Sequence, residues 1–109
     1  MKALVFSPAA AADIDGIWDY SAAHWGPDQA DRYTDDIRDA CQALAAGGRR
    51  GRPVDVRPGT LKHPAGTHMI YFRDRGDRLE VIRILHQKQD VSRNLSPVDQ
   101  GPLAGPSSS

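Results

Sequence analysis

The stretch from Gly66 to Asp90, GTHMIYFRDRGDRLEVIRILHQKQD, holds most of the side chains with which this chain could do polar chemistry: His68, Tyr71, Arg73, Arg83, His86, Gln87 and Asp90. Imidazoles move protons near neutral pH, and guanidiniums, with nearby Lys62, can hold an anion. Cleavage of RNA through its own 2′-hydroxyl needs such a set: a base for the hydroxyl proton, cations for the phosphorane charge and an acid for the leaving oxygen. Arg73, Arg83, His86 and Lys62 are the residues that would supply it. The same residues have a structural reading. A carboxylate four residues past a strand end is well placed to hold an imidazole, so His86 is expected to hydrogen-bond Asp90 and pin the chain there. Arg83 emerges among apolar neighbours and needs a carboxylate or carbonyl partner, with Asp90 and Glu80 the candidates for an ion pair.

These groups need a rigid frame. His68 to Arg73 is rich in aromatic and branched residues, and Leu79 to His86 carries Val81, Ile82 and Ile84, so both are predicted strands. Asp74-Arg75-Gly76-Asp77 is the predicted turn, with Gly76 taking the positive φ that closes a short hairpin. A side-chain period of two puts Glu80, Ile82, Ile84 and His86 on one face and Leu79, Val81, Arg83 and Leu85 on the other. Neither set is purely polar, which predicts a strand covered on both sides or central in its sheet.

Ahead of the hairpin, Lys2 to Phe6 is a plausible opening strand. Ser7-Pro8 then starts a helix, with serine as N-cap and proline in the first turn. Ile14, Ile17, Trp18, Ser21 and Trp25 fall on one stripe of it, and Trp18 is expected to pack in the core. Gly26-Pro27 ends this helix and begins a second, Pro27 to Ala46, which must fold back antiparallel. Its stripe is Ala30, Tyr33, Ile37, Cys41 and Leu44, and Cys41 on that stripe reads as a small core residue. Gly47-Gly48 stops the helix. A basic loop leads to Pro58-Gly59, and Thr60 to His63 is a short strand ended by Pro64-Ala-Gly66, with His63 reading best as a loop residue. Asp90 can cap a helical turn from Val91 to Leu95. Ser96 onward is rich in Pro, Gly and Ser and is expected to be a disordered tail, leaving 1–95 as the domain. The class is α+β: a strand, an antiparallel helix pair, a three-strand mainly antiparallel sheet and a short C-terminal helical turn.

A chain of 109 residues with 39% hydrophobic and 26% charged residues is one ordinary globular domain. No run is long enough for a membrane span or a secretory signal, and Cys41, the single cysteine, has no disulfide partner, which together point to the cytoplasm. Nothing calls for a metal or another cofactor. The net charge of zero hides a segregation. Residues 1–48 carry mostly Asp, while the Arg49 to Asp90 portion carries Arg49, Arg50, Arg52, Arg57, Lys62, Arg73, Arg75, Arg78, Arg83 and Lys88. A basic surface of that kind suits an anionic partner, nucleic acid or an acidic protein segment; the alternative is a solvated loop.

Three fragments carry a family resemblance. SPAAAADIDGIWDYSAAHWG resembles the first helix and turn of ParE toxins of the RelE/ParE superfamily. RPGTLKHPAGTHMIYFR resembles their G-[ST]-H-x-x-x-[FY]-R strand and its approach, and VIRILHQKQDVSRNL resembles R-[IV]-L-H-x-x-M-D, with Gln89 where methionine is common. The resemblance runs from Leu4 to Leu95. It implies a type II toxin that does no chemistry of its own, is held inactive by a ParD-like antitoxin in a hetero-oligomer and, when freed, inhibits DNA gyrase. The target-binding end would then be Arg73, Arg83, His86, Gln87 and Asp90 with His68 and Tyr71, and the antitoxin-binding set Trp18, Trp25, Tyr33 and Ile37. No sequence-specific nucleic-acid binding is expected. The alternatives are a RelE-like ribosome-dependent mRNA endoribonuclease, with Arg73, Arg83 and His86 catalytic, and a non-toxic module that only binds antitoxin.

Overall fold

Weak alternation after Lys2 forms the first strand, β1 (Ala3–Phe6), in the computed structural model, which describes residues 2–54 and 57–87. At Ser7 the chain turns into helix α1 (Pro8–Trp25): the Ser7 hydroxyl accepts the Ala10 amide at 3.0 Å, and Pro8 occupies the first turn, where its missing N–H costs nothing. Gly26, at φ 96°, ends α1, and α2 (Pro27–Ala46) follows without a loop, until Gly47 caps it in the left-handed region. The strands β2 (Arg52–Pro53), β3 (Leu61–Ala65), β4 (His68–Asp74) and β5 (Arg78–His86) complete a sheet of order β1-β5-β4-β3-β2. All its pairs are antiparallel except β1 with β5, which joins the two ends of the described chain in parallel. The class is therefore the α+β one expected, with five strands where four were predicted, since the two-residue β2 lies inside the basic loop.

Both helices cover one face of this sheet. Ala10, Ile14 and Ile17 of α1 and Ile37, Ala40, Cys41 and Leu44 of α2 pack on Ile70, Phe72, Leu79, Val81 and Ile84. Cys41 is fully buried, and burial pushes its thiol up to about 12, which makes it a packing residue with no nucleophilic character. A smaller cluster of Tyr71, Leu85 and Val54, with Met69 against it, lies on the other face.

Several details differ from the sequence reading. Strict alternation along β5 fails because Tyr71 pairs with Arg83 and Phe72 with Val81, leaving Ile82 as the extra residue of a β-bulge. The bulge switches faces midway. Leu79, Val81 and Ile84 consequently share the helix-side core, while Leu85 lies on the outer face with Tyr71. His63 is a strand residue of β3 paired with Ile70, and Pro64 is accommodated because β2 pairs only with Leu61 and Lys62. Trp18 is half-buried and outside both clusters; its indole N–H donates to Asp31 Oδ1 at 2.8 Å, bracing α1 on α2. Trp25, predicted on the same apolar stripe, is 64% exposed at the end of α1. The predicted turn Val91–Leu95 and the tail lie outside the described residues.

Ile37→Ala should therefore lower the unfolding free energy by about 2–5 kcal/mol, and Trp18→Ala by only about 1–2 kcal/mol. Urea unfolding of the two variants compares them directly; the reverse order would make the α1–α2 seam, braced by Trp18, the main source of stability.

Candidate functional site

Past Val81, β5 outruns β1, whose last register pair is Phe6 with Val81, so one edge of β5 opens toward α1. The helix takes over that edge. Ser7 donates from its backbone to Val81 O at 2.9 Å and from its hydroxyl to Ile82 O at 2.7 Å. Nearly two turns further, Asp13 Oδ2 accepts the Ile84 amide at 2.8 Å. The same carboxylate receives Arg83, Nε to Oδ2 at 2.8 Å and Nη2 to Oδ1 at 2.9 Å, a bidentate pair with both side chains largely buried. This replaces the expected Asp90 or Glu80. Glu80 instead accepts two bonds from Arg75, and Asp90 lies outside the described residues, as does any contact it makes with His86. Hydrogen bonding to Asp13 holds Arg83 still more firmly protonated.

A groove of about 700 Å³ opens beside this clamp, between α1, the start of α2 and the ends of β4 and β5. Its α1 wall is low because Gly16 sits mid-helix with no atom within 4 Å of where a Cβ would lie. Tyr20 and Trp25 stand at its mouth, 59% and 64% exposed. Tyr20 stacks on His24 with ring centroids 3.9 Å apart, and Trp25 meets Tyr20 edge-on at 6.2 Å. Across the floor, His68 and His86 are register partners with rings 5.4 Å apart. His68 Nδ1 lies 2.7 Å from the Tyr33 hydroxyl, which also accepts the Thr67 amide at 3.0 Å and thereby ties α2 to the β3–β4 turn. Gly66 in that turn faces the Tyr33 ring so closely that a Cβ would lie 2.6 Å from it. Gln87 braces the turn from the other side, its amide donating to Thr67 O and its side chain to Gly66 O, both at 3.0 Å. Burial pushes the His68 pKa down, and neighbouring His86 adds to the shift while Asp13 opposes it.

The two residue sets named from the sequence are thus redistributed. His68, Arg83 and His86 from one set, with Trp25 and Tyr33 from the other, line a single groove. Tyr71 is 3% exposed on the outer face, where burial raises its pKa, and Arg73 sits on that face too, about 17 Å along β4 from His68 by strand rise. Ile37 is enclosed in the core and presents no surface, and Trp18 serves the helix-helix seam. Asp13, Gly16 and Tyr20 were missed. Of these only Gly16 left a mark in the sequence, an isolated glycine inside a helical pattern. Among the described residues, no group of three or more His, Cys, Asp or Glu could hold a metal ion.

Residues 4–91 match the family profile of the ParE toxin of type II toxin-antitoxin systems, parDE. Toxin ParE1 of Mycobacterium tuberculosis is 43% identical over 93 residues, covering 84% of this chain and 95% of the relative. Toxin ParE1 of Caulobacter vibrioides is 34% identical over 96 residues, 87% of this chain and 99% of the relative. Among solved structures, the chromosomal ParDE toxin-antitoxin system from P. aeruginosa superposes with a TM-score of 0.71 at 29% identity, covering 79% of this chain and 96% of that one. The toxin-antitoxin complex RelBE2 from Mycobacterium tuberculosis, at a TM-score of 0.57 and 18% identity over 79% of this chain and 98% of that one, shares the fold alone.

Removing Asp13 leaves a charge and a backbone amide without their partner, so Asp13→Ala should cost about 3 kcal/mol by chemical unfolding, and Asp13→Ala/Arg83→Met should recover part of it. A loss under about 1 kcal/mol would mean the clamp does not hold the edge. Because the folded state holds the His68 pKa below its unfolded value, the unfolded chain takes up that proton first as pH falls. The contribution of His68 is present above about pH 6.5 and is lost on acidification below it. His68→Gln should therefore flatten the fall in melting temperature between about pH 7 and 5; an unchanged slope would assign that fall to other groups.

Proposed function

The chain belongs to the ParE toxin family of type II toxin-antitoxin systems, and from that premise we propose that it inhibits DNA gyrase in the cytoplasm once freed from a ParD-like antitoxin. It is a toxin with an antitoxin partner. The observation that favours gyrase over RNA cleavage is the dispersal of the groups a ribonuclease would use. Lys62 and Arg73 belong to the outer face, by the pairing of Lys62 with Tyr71 and of Arg73 with Glu80. His86 opens to the groove, and the Arg83 guanidinium lies on the Asp13 carboxylate. Arg83 is committed to Asp13, and His86 faces the groove while Lys62 and Arg73 stand on the other side of the sheet, an arrangement that disfavours convergence of base, acid and cations on one scissile bond.

The groove is our choice for the antitoxin. It offers exposed aromatic anchors, Tyr20 and Trp25, beside polar groups already fixed by the scaffold, which is how a folding peptide segment is captured at low ordering cost. The ParDE description of the P. aeruginosa relative favours a partner of ParD type. Ile37 drops out of the contact set because it has no surface.

Two assays on the antitoxin-free protein separate the readings: gyrase supercoiling with a readout of cleaved DNA, and RNA cleavage on translating ribosomes. Loss of supercoiling with accumulation of cleaved DNA and intact RNA is expected. Codon-associated RNA cuts with normal supercoiling would establish the ribonuclease instead, and inactivity in both would leave an antitoxin-binding module.

A further inference from the structure

The groove and its clamp leave a second feature unused, on the opposite side of the sheet. Arg52 pairs in register with Lys62, and Lys62 with Tyr71, which places both cations on the outer face. Arg73 lies two residues beyond Tyr71 on the same face, diagonal to Lys62. Arg49 and Arg50 approach the same edge and are exposed. At this edge Gly51 lies against Phe72 and Leu61 of the helix-side layer, where a Cβ would come within 2.5 Å of the Phe72 ring. The loop is also held by His63 Nδ1, 3.1 Å from Arg50 O.

Among the described residues, none of Arg49, Arg50, Arg52, Lys62 and Arg73 forms an ion pair, and the acids of the β4–β5 hairpin are taken elsewhere: Asp74 by Lys2, Asp77 by Arg78 and Glu80 by Arg75. Like charges directly opposite on neighbouring strands destabilise a sheet, and Arg52 facing Lys62 keeps that cost unrelieved. Meanwhile Asp28, Asp31, Asp35, Asp36 and Asp39 are all exposed along α2. Zero net charge therefore describes a bipolar molecule, acidic on its helices and basic on its outer sheet.

We propose that this basic face binds the phosphate backbone of duplex DNA without reading its sequence, so that the toxin touches the DNA that gyrase holds as well as gyrase itself. The proposal rests on the gyrase reading for its setting. An acidic peptide would need pockets for its side chains, yet the apolar cluster on this face is closed, with Val54, Tyr71 and Leu85 only 7%, 3% and 2% exposed and Met69 half-buried against them. A phosphate backbone needs only cations on a fixed frame. Arg52, Lys62 and Arg73 span on the order of 10 Å by strand spacing, over which one strand of a duplex presents about three phosphates.

The test uses the full chain and a fluorescein-labelled random-sequence duplex, with no gyrase present, followed by anisotropy across a salt series. Binding should weaken with salt at a log-log slope of about −3. Arg52→Gln/Lys62→Gln/Arg73→Gln should lose about tenfold or more in affinity and most of that slope at unchanged melting temperature. Arg32→Gln/Arg38→Gln on α2 should change neither. Should the triple variant unfold, Arg52→Gln alone, at an exposed position of the two-residue β2, replaces it, with a smaller loss expected. No DNA binding by the unsubstituted chain, equal binding by the sheet variants, or equal affinity for poly-glutamate overturns the proposal, and tighter binding to single-stranded RNA of the same length transfers the face to RNA. DNA binding without gyrase inhibition would refute the gyrase reading alone, and inhibition without DNA binding would refute this one alone.

Discussion

The carboxylate of Asp13 is the fixed point on which the arrangement depends. A four-residue β1 cannot cover a nine-residue β5, and an uncovered strand edge offers unpaired amides to any passing chain. Asp13 closes that edge from α1 by receiving both the Ile84 amide and the Arg83 guanidinium. One side chain thereby sets the height of α1 above the sheet, neutralises a partly buried cation and fixes a wall of the groove. Tyr33 plays the matching part for α2, joining it to the β3–β4 turn and to His68.

Much of this frame is written locally. Ser7-Pro8, Gly26-Pro27 and Gly47 are boundary signals whose physics acts within one turn, and the helices begin and end where those residues demand. The hairpin is equally local, with Gly76 at φ 92° and its amide on Asp74 Oδ1 at 2.9 Å. What escaped the sequence depends on distant partners. The bulge at Ile82 is a feature of how β5 pairs with β4, and no residue near Ile82 announces it. Arg83 was expected to find its acid nearby, but the acid lies seventy residues away in sequence. The two-residue β2 is too short to leave a periodic trace.

The candidate site shows the same division. Residue types were legible, since His68, Arg83, His86, Trp25 and Tyr33 all line the groove, but their grouping was not. Sequence order separates a helical set from a hairpin set, whereas packing interleaves them. Tyr71 and Arg73 lie close to His68 on the chain, yet alternation sends both to the face of β4 opposite to His68. The charge segregation was visible in composition, yet only the register reveals that it runs between layers.

The parallel pairing of β1 with β5 has a consequence for how the protein comes into being. Ala3 meets Arg78, so the opening strand waits for almost the whole domain to be synthesised before it gains its neighbour. Such distant contacts carry a larger loop-closure cost than the helical hairpin and the β3–β4–β5 meander, which close over short distances. The edge clamp inherits the delay, because Asp13 emerges early and Ile84 late. A ribosome-bound chain that stops short of β5 therefore has neither a finished sheet nor a groove wall, and translation itself withholds the working surface until β5 is made.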